Sequence, residues 1–133
     1  MAVPCAEARA SRTTTTRTVL VVDDDPGVLE VLELALGAEG YDVLVARNGR
    51  EALEQATANK PNLMLVDLMM PVMDGWQLVR ECRRREEIGD TPVIVLSAAR
   101  NVHETVRGLG VQAVVSKPFN LDELLYLVAS HAA

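Results

Sequence analysis

Apolar residues fall in short unbroken runs along this chain, at Val19–Val22, Val43–Val45, Leu63–Val66, Val93–Leu96 and Val111–Val115. Aliphatic runs of this length, rich in β-branched residues, predict strands. Their lack of polar alternation predicts strands covered on both faces. Between the runs the periodicity turns helical. The first such segment carries Val28, Leu29, Val31, Leu32, Ala35 and Leu36, predicted to share one side of a 3.6-residue helix. Asp25 before Pro26 reads as an N-cap followed by an N1 proline, and Gly40 as the end of that helix. Asn48 with Glu51, and Asn120 with Glu123, have capping-box spacing at the starts of the second and last helices. Strands alternating with helices predict βαβ units. The fold class is therefore α/β, a doubly wound five-stranded parallel sheet with five helices on both faces.

The opening residues break this pattern. Residues 1–17 have little apolar content and include the run Thr13–Thr16, so they read as a disordered N-terminal leader, with the folded domain at 18–133. At 133 residues and 49% apolar content, one domain with a real core is expected. Aromatics are only 3%, which argues against modules that stack single-stranded nucleic acid. Charge is split: residues 1–17 carry a net +2 and residues 18–133 a net −8, for −6 in all. An acidic body repels phosphate backbones, so direct nucleic-acid binding is disfavoured. No apolar run reaches the roughly 18–20 residues of a membrane span, and the start lacks a signal-peptide core. Cys5 and Cys82 form neither a disulfide framework nor a metal spacing. A reduced, soluble, cytoplasmic protein with no membrane partner is the expectation.

In sheets of this kind ligands sit beyond the carboxyl ends of the strands, so the residues there matter most. The first strand runs into Asp23, Asp24 and Asp25, the third into Asp67, the fourth into Ser97, and the fifth into Lys117, one of two lysines in the chain. Taken singly, each reads as a cap, a turn former or a solvated loop residue, and Asp25 is assigned to capping. Together they crowd carboxylates at one rim. Two unit charges about 5 Å apart repel by roughly 3 kcal/mol at an effective dielectric of 20. A hard divalent cation relieves that cost, and Mg²⁺ suits one or two carboxylates, a carbonyl and water. Lys117 adds a point charge and Ser97 a hydroxyl for phosphoryl oxygens. A central carboxylate so surrounded suits phosphoryl transfer, with Asp67 the nucleophile and an aspartyl phosphate the product.

Four segments carry a family resemblance: VLVVDDDP at 19–26, LVDLMMPVMDG at 65–75, VIVLSA at 93–98 and SKPF at 116–119. Asp24 and Asp67 are 43 residues apart, Asp67 and Ser97 30, and Asp67 and Lys117 50. Over about residues 18–131 the chain resembles the receiver domain of two-component response regulators, with its flavodoxin-like (βα)5 fold. The resemblance implies that Asp67 is the phosphoacceptor, assisted by Ser97 and Lys117. It also implies a Mg²⁺ site formed by Asp23, Asp24, Asp67 and the backbone carbonyl of Met69, Asp24 binding directly and Asp23 mainly through water. It implies a cis bond before Pro118. The expected partners are a histidine kinase or histidine phosphotransfer protein, docking around Val28, Glu30, Val31 and Leu34, and a downstream protein met by the fourth and fifth helices and fifth strand. The chain is expected to catalyse only its own phosphorylation and slow dephosphorylation, and to act as a stand-alone receiver or as the receiver fragment of a larger regulator.

Three positions depart from the family pattern or tune it. Where the family often has Tyr or Phe three residues before the lysine, this chain has Val114, which has no ring to swing. Any switch is then expected to pass through the loop after Ser97 and a weak helix near 101–109. Met69 and Ala99 offer no strong hydrogen bond to an attacking water, which predicts slow to moderate self-dephosphorylation. Arg83-Arg84-Arg85 reads as cations suited to a helix C-terminus, against a docking patch. Met64, Met69, Met70 and Met73 read as packing residues. His103 and His131 have no metal spacing and read as surface residues. The rival readings are a phosphorylation-independent interaction module, kept open by Val114, and an aspartyl-phosphate hydrolase, disfavoured by Met69 where a second carboxylate would stand. No glycine-rich phosphate loop opens any helix.

Overall fold

The computed structural model describes residues 17–70, 72–98, 108 and 110–132. Nine elements follow in order: β1 (Thr18–Val22), α1 (Pro26–Ala38), β2 (Asp42–Ala46), α2 (Gly49–Asn59), β3 (Leu63–Asp67), α3 (Gly75–Arg84), β4 (Val93–Ser97), β5 (Ala113–Ser116) and α4 (Leu121–His131). The strands form one parallel sheet in the order β2-β1-β3-β4-β5. The chain starts at β1, steps outward to β2, then crosses back past β1 to β3. The β1/β3 boundary is thus the topological switch point, where such sheets open a crevice for ligands.

Alternate residues of each strand feed two cores. Leu20, Val22, Met64, Val66, Val93 and Val95 pack with Ala52 and Ala56 of α2 and Leu78, Val79 and Cys82 of α3. Val19, Val21, Leu63, Leu65, Ile94 and Leu96 pack with Leu29, Leu32 and Leu36 of α1 and Leu124 and Val128 of α4. With helices on both faces, β3 and β4 are buried at every position. The edge strands β2 and β5 are only partly covered. The unbroken apolar runs therefore reflect two-sided burial, as the pattern predicts.

The expected caps are present, with one difference. Asp25 accepts from the Gly27 N–H, Asn48 from Glu51 and Asn120 from Glu123. The Glu51 carboxylate, however, takes the Arg47 N–H rather than that of Asn48, so the box closes one residue upstream. A complete reciprocal box stands at Asp74 and Gln77, opening α3.

Three expectations shift. Val31 is half exposed instead of facing the core, because it is turned about 200° from Leu29 around the helix, off the Leu29–Leu32–Leu36 stripe. β5 begins at Ala113, since the Gln112 side chain, not a strand residue, takes up the Val93 N–H. Met69 does not pack: its side chain is 61% exposed, while Met64 and Met70 are buried. Among the described residues there are four helices. The helix expected near 101–109 and the leader, apart from Arg17, lie outside them, as do Ala99, His103 and Cys5.

Candidate functional site

Strand register assembles the site. Val22 pairs with Val66, so Asp23, the next residue after β1, comes level with Asp67 at the end of β3. Asp67 pairs with Leu96, putting Ser97 one position further along β4, and Ser97 pairs with Ser116, the residue before Lys117. The Lys117 N–H donates to the Ser97 carbonyl at 2.9 Å, fixing the entry to the Lys117–Pro118 bond, which is cis. All the strand-end residues singled out in the sequence thus lie along one rim.

Asp23, Asp24 and Asp67 each bring one carboxylate oxygen within 4.8 Å of the others. Asp23 is fully buried, Asp67 nearly so, and Asp24 is exposed. Asp23 uses both oxygens. Oδ1 accepts the Asp25 N–H at 2.9 Å, and Oδ2 accepts from Lys117 Nζ at 2.7 Å. The same ammonium lies 3.5 Å from Asp67 Oδ2, while Asp67 Oδ1 accepts the Met69 N–H at 3.2 Å. Ser97 is fully buried on the neighbouring strand. Among the described residues, no buried side-chain nitrogen or oxygen lacks a hydrogen-bond partner.

The electrostatics follow from three acids meeting one cation. Burial pushes the Asp67 carboxyl above the usual carboxylate range, with the charge of Asp23 adding to it; the Met69 N–H and Lys117 pull the other way without overcoming it. Burial also disfavours charge on Lys117. The hydrogen bond and charge of Asp23, joined by Asp67, outweigh it and hold the ammonium above the usual lysine range. The pocket is short of positive charge.

Its donor set suits a hard cation. Oxygens at about 2.1 Å around Mg²⁺ stand no more than roughly 4.2 Å apart, so this cluster needs only a small contraction or one bridging water. Among the described residues the cluster is carboxylate oxygen alone, and Cys82 is buried in the core with its thiol pushed up to about 11.

Residues 19–129 match the family described as the response regulator receiver domain. The chain belongs to that family. It is 42% identical over 109 residues to the response regulator MprA of Mycolicibacterium vanbaalenii, a match covering 80% of this chain and 46% of that protein. The chain therefore spans about half the length of the curated relatives it matches. Among solved structures it is similar to the chemotaxis protein CheY4 of Vibrio cholerae, with a TM-score of 0.82 at 29% identity over 87% of this chain and 98% of that one. A response regulator receiver protein from Pseudomonas putida matches with a TM-score of 0.80 at 35% identity, covering 86% and 97% of the two chains. Receiver domains of this family generally bind Mg²⁺ at an acidic pocket and interact with histidine kinases and downstream effectors. No described helix is long and apolar enough to cross a membrane.

Several features of this receiver's site had no signal in the sequence pattern as read. Gly75 leaves no room for a side chain: a Cβ there would meet the Asp67 carbonyl and Leu68 Cα, each at 2.7 Å. Gly49 is equally closed, against Met73. Val72 adopts a φ of 70°, in the left-handed region that a β-branched residue rarely enters. The Asp-Gly-Trp-Gln run at 74–77 does carry a capping signal, and reading it would have located the start of α3. Val114 packs half-buried against the core formed by α2 and α3.

Proposed function

We propose that this receiver accepts a phosphoryl group on Asp67 from a partner phosphohistidine in a two-component or phosphorelay pathway, and thereby changes its affinity for a downstream protein. The observation that carries the reading is the Lys117 ammonium, set 2.7 Å from Asp23 and 3.5 Å from Asp67 within a cluster of three acids at the switch point. An Asp67 oxygen attacks phosphorus as the bond to the donor imidazole nitrogen breaks, and that nitrogen keeps the electron pair. Lys117 and the Ser97 hydroxyl would receive the phosphoryl oxygens.

Mg²⁺ would be held by Asp23, Asp24, Asp67 and the Met69 carbonyl, supplying the charge that offsets both the crowded acids and the incoming phosphoryl oxygens. Asp24 is exposed and free to bind directly. Asp23, with both oxygens engaged by Asp25 and Lys117, acts mainly through water. On this reading the chain is no enzyme for a separate substrate: it catalyses only its own phosphorylation and slow dephosphorylation, in the cytoplasm. The exposed Val31 and Leu34 on α1 suit the donor's docking surface.

The test is site mapping after reaction with phosphoramidate, a small donor containing a P–N bond. A hydroxylamine-labile phosphoryl group on the peptide holding Asp67 is expected. Label on any other residue, or none, would overturn the assignment.

A further inference from the structure

The loop between β3 and α3, described at 68–70 and 72–74, carries Met69, the residue whose carbonyl is assigned to the cation and whose N–H holds Asp67 Oδ1. Two backbone hydrogen bonds hold it. The Gly75 N–H, just past Asp74, donates to the Leu68 carbonyl at 3.1 Å and draws the two ends of the loop together beside Asp67. At the far end, the Gly49 N–H of α2 donates to the Met73 carbonyl at 3.1 Å. Gly49 is buried, and a Cβ on it would meet Met73 at three atoms: the carbonyl oxygen at 2.5 Å, Cγ at 2.6 Å and Cβ at 2.7 Å. Backbone stands in that space, so a side chain at 49 could be admitted only by moving the loop.

Gly49 touches none of the acids, Ser97 or Lys117 through any contact described above. It meets the loop directly at Met73, and it reaches the acids otherwise only back along 46–48, where the Ala46 carbonyl accepts the Asp23 N–H at 3.1 Å. The holds at Leu68 and Val72 themselves are modest. Leu68 and Met70 are buried, but the Leu68 N–H reaches the Leu96 carbonyl only at 3.4 Å, and Val72 sits in a strained backbone region with its side chain 73% exposed. Beyond Val72 the loop is held by the Gly49–Met73 hydrogen bond, together with the Asp74–Gln77 capping box and the Gly75–Leu68 hydrogen bond at the start of α3.

We propose that Gly49 is a positioning residue for the acidic pocket: by taking the Met73 carbonyl on its N–H with no Cβ in the way, it fixes the far limb of the loop that carries Met69 and so sets the affinity for divalent cations. This rests on the Mg²⁺ assignment made under the proposed function. Coupling between the two places is reciprocal. If the Gly49–Met73 bond strengthens cation binding, cation binding must strengthen that bond by the same factor.

The experiment pairs calorimetric Mg²⁺ titration of the full chain with amide hydrogen exchange. Gly49→Ala is expected to weaken Mg²⁺ binding about tenfold, within the usual range for coupled sites, while keeping the far-ultraviolet circular dichroism of the wild type. In the wild type, saturating Mg²⁺ is expected to slow exchange at the Gly49 amide by a similar factor and to leave the Glu123 amide, at the remote start of α4, unchanged. The exchange arm needs no variant, so it decides the matter even if Gly49→Ala fails to fold. Equal Mg²⁺ affinity in the folded variant, or a Gly49 amide indifferent to Mg²⁺, would overturn the proposal and leave the metal assignment standing. A wild type that binds no Mg²⁺ would overturn both.

Discussion

At the amino ends of the strands, Asn62, Arg83 and Gln112 turn their side chains onto backbone groups; at the carboxyl ends, Asp23, Asp67 and Lys117 turn theirs onto one another. Asn62 accepts the Thr18 N–H at 2.8 Å, and Gln112 accepts that of Val93 at 2.7 Å. The Arg83 guanidinium donates to the carbonyls of Gly89, Thr91 and Gly110, at 3.1, 2.8 and 3.0 Å, tying the segment before β4 to the segment before β5. Each of these three side chains answers a backbone group that sheet and helix leave over. At the other rim three carboxylates meet one ammonium, and burial makes their mutual repulsion costly. One end of the sheet is settled within the chain. The other is left for a cation and a phosphoryl group to complete.

Substitutions should separate the ends, by size of effect and by response to Mg²⁺. The largest effect is expected for Lys117→Met, which strands the buried Asp23 carboxylate and costs about 3 kcal/mol without metal. Denaturant unfolding should show this loss, and Mg²⁺ should restore much of it by taking over the missing charge. The ammonium's pKa is raised on folding, so its contribution is complete below 10.5 and is lost as pH rises through the folded value. The wild-type advantage over Lys117→Met should therefore fade at strongly alkaline pH.

Arg83→Met should cost about 2 kcal/mol by leaving carbonyls without donors at the settled end. Here Mg²⁺ should return no more stability than it gives the wild type. A selective rescue by Mg²⁺ would blur the distinction between the two rims.

Asp67→Asn should do the reverse of both and stabilise the metal-free protein at neutral pH. The folded Asp67 carboxyl has a pKa raised above 3.8, so its destabilising contribution sets in as pH rises past 3.8 and is complete above the folded value. Parent and variant should be equally stable below pH 3.8 and diverge toward neutrality in a pH series of thermal melts. Added Mg²⁺ should close the gap, because the parent binds it better.

The smallest effect is expected at Val72. Replacement by Asn, which tolerates the left-handed region, should add up to about 1 kcal/mol of stability. Denaturant midpoints would reveal it.

The contrast between the rims also explains what the sequence made legible. Buried parallel strands must be apolar at every position, so the five runs stood out, and the residues directly after them named Asp23, Asp24, Asp67, Ser97 and Lys117 without any knowledge of contacts. Features that depend on what another segment does were hidden. Arg83 reads locally as a cation suited to a helix C-terminus, and only the fold brings Gly110 to it. Gly49 and Gly75 read as ordinary glycines until Met73 and Asp67 are seen against them. Val31 misled for the opposite reason: its composition fits a core, but helix geometry turns it outward.

The central claim, that the unsettled rim is a phosphoacceptor completed by metal, is tested most directly by intact-mass analysis. The protein would be incubated with a small phosphodonor, with and without Mg²⁺, beside Asp67→Asn. The account predicts one phosphoryl adduct that needs Mg²⁺ and is absent from the variant. An adduct that forms equally without metal or persists in Asp67→Asn, or none under any condition, would contradict it and favour an interaction module that keeps the fold without the chemistry.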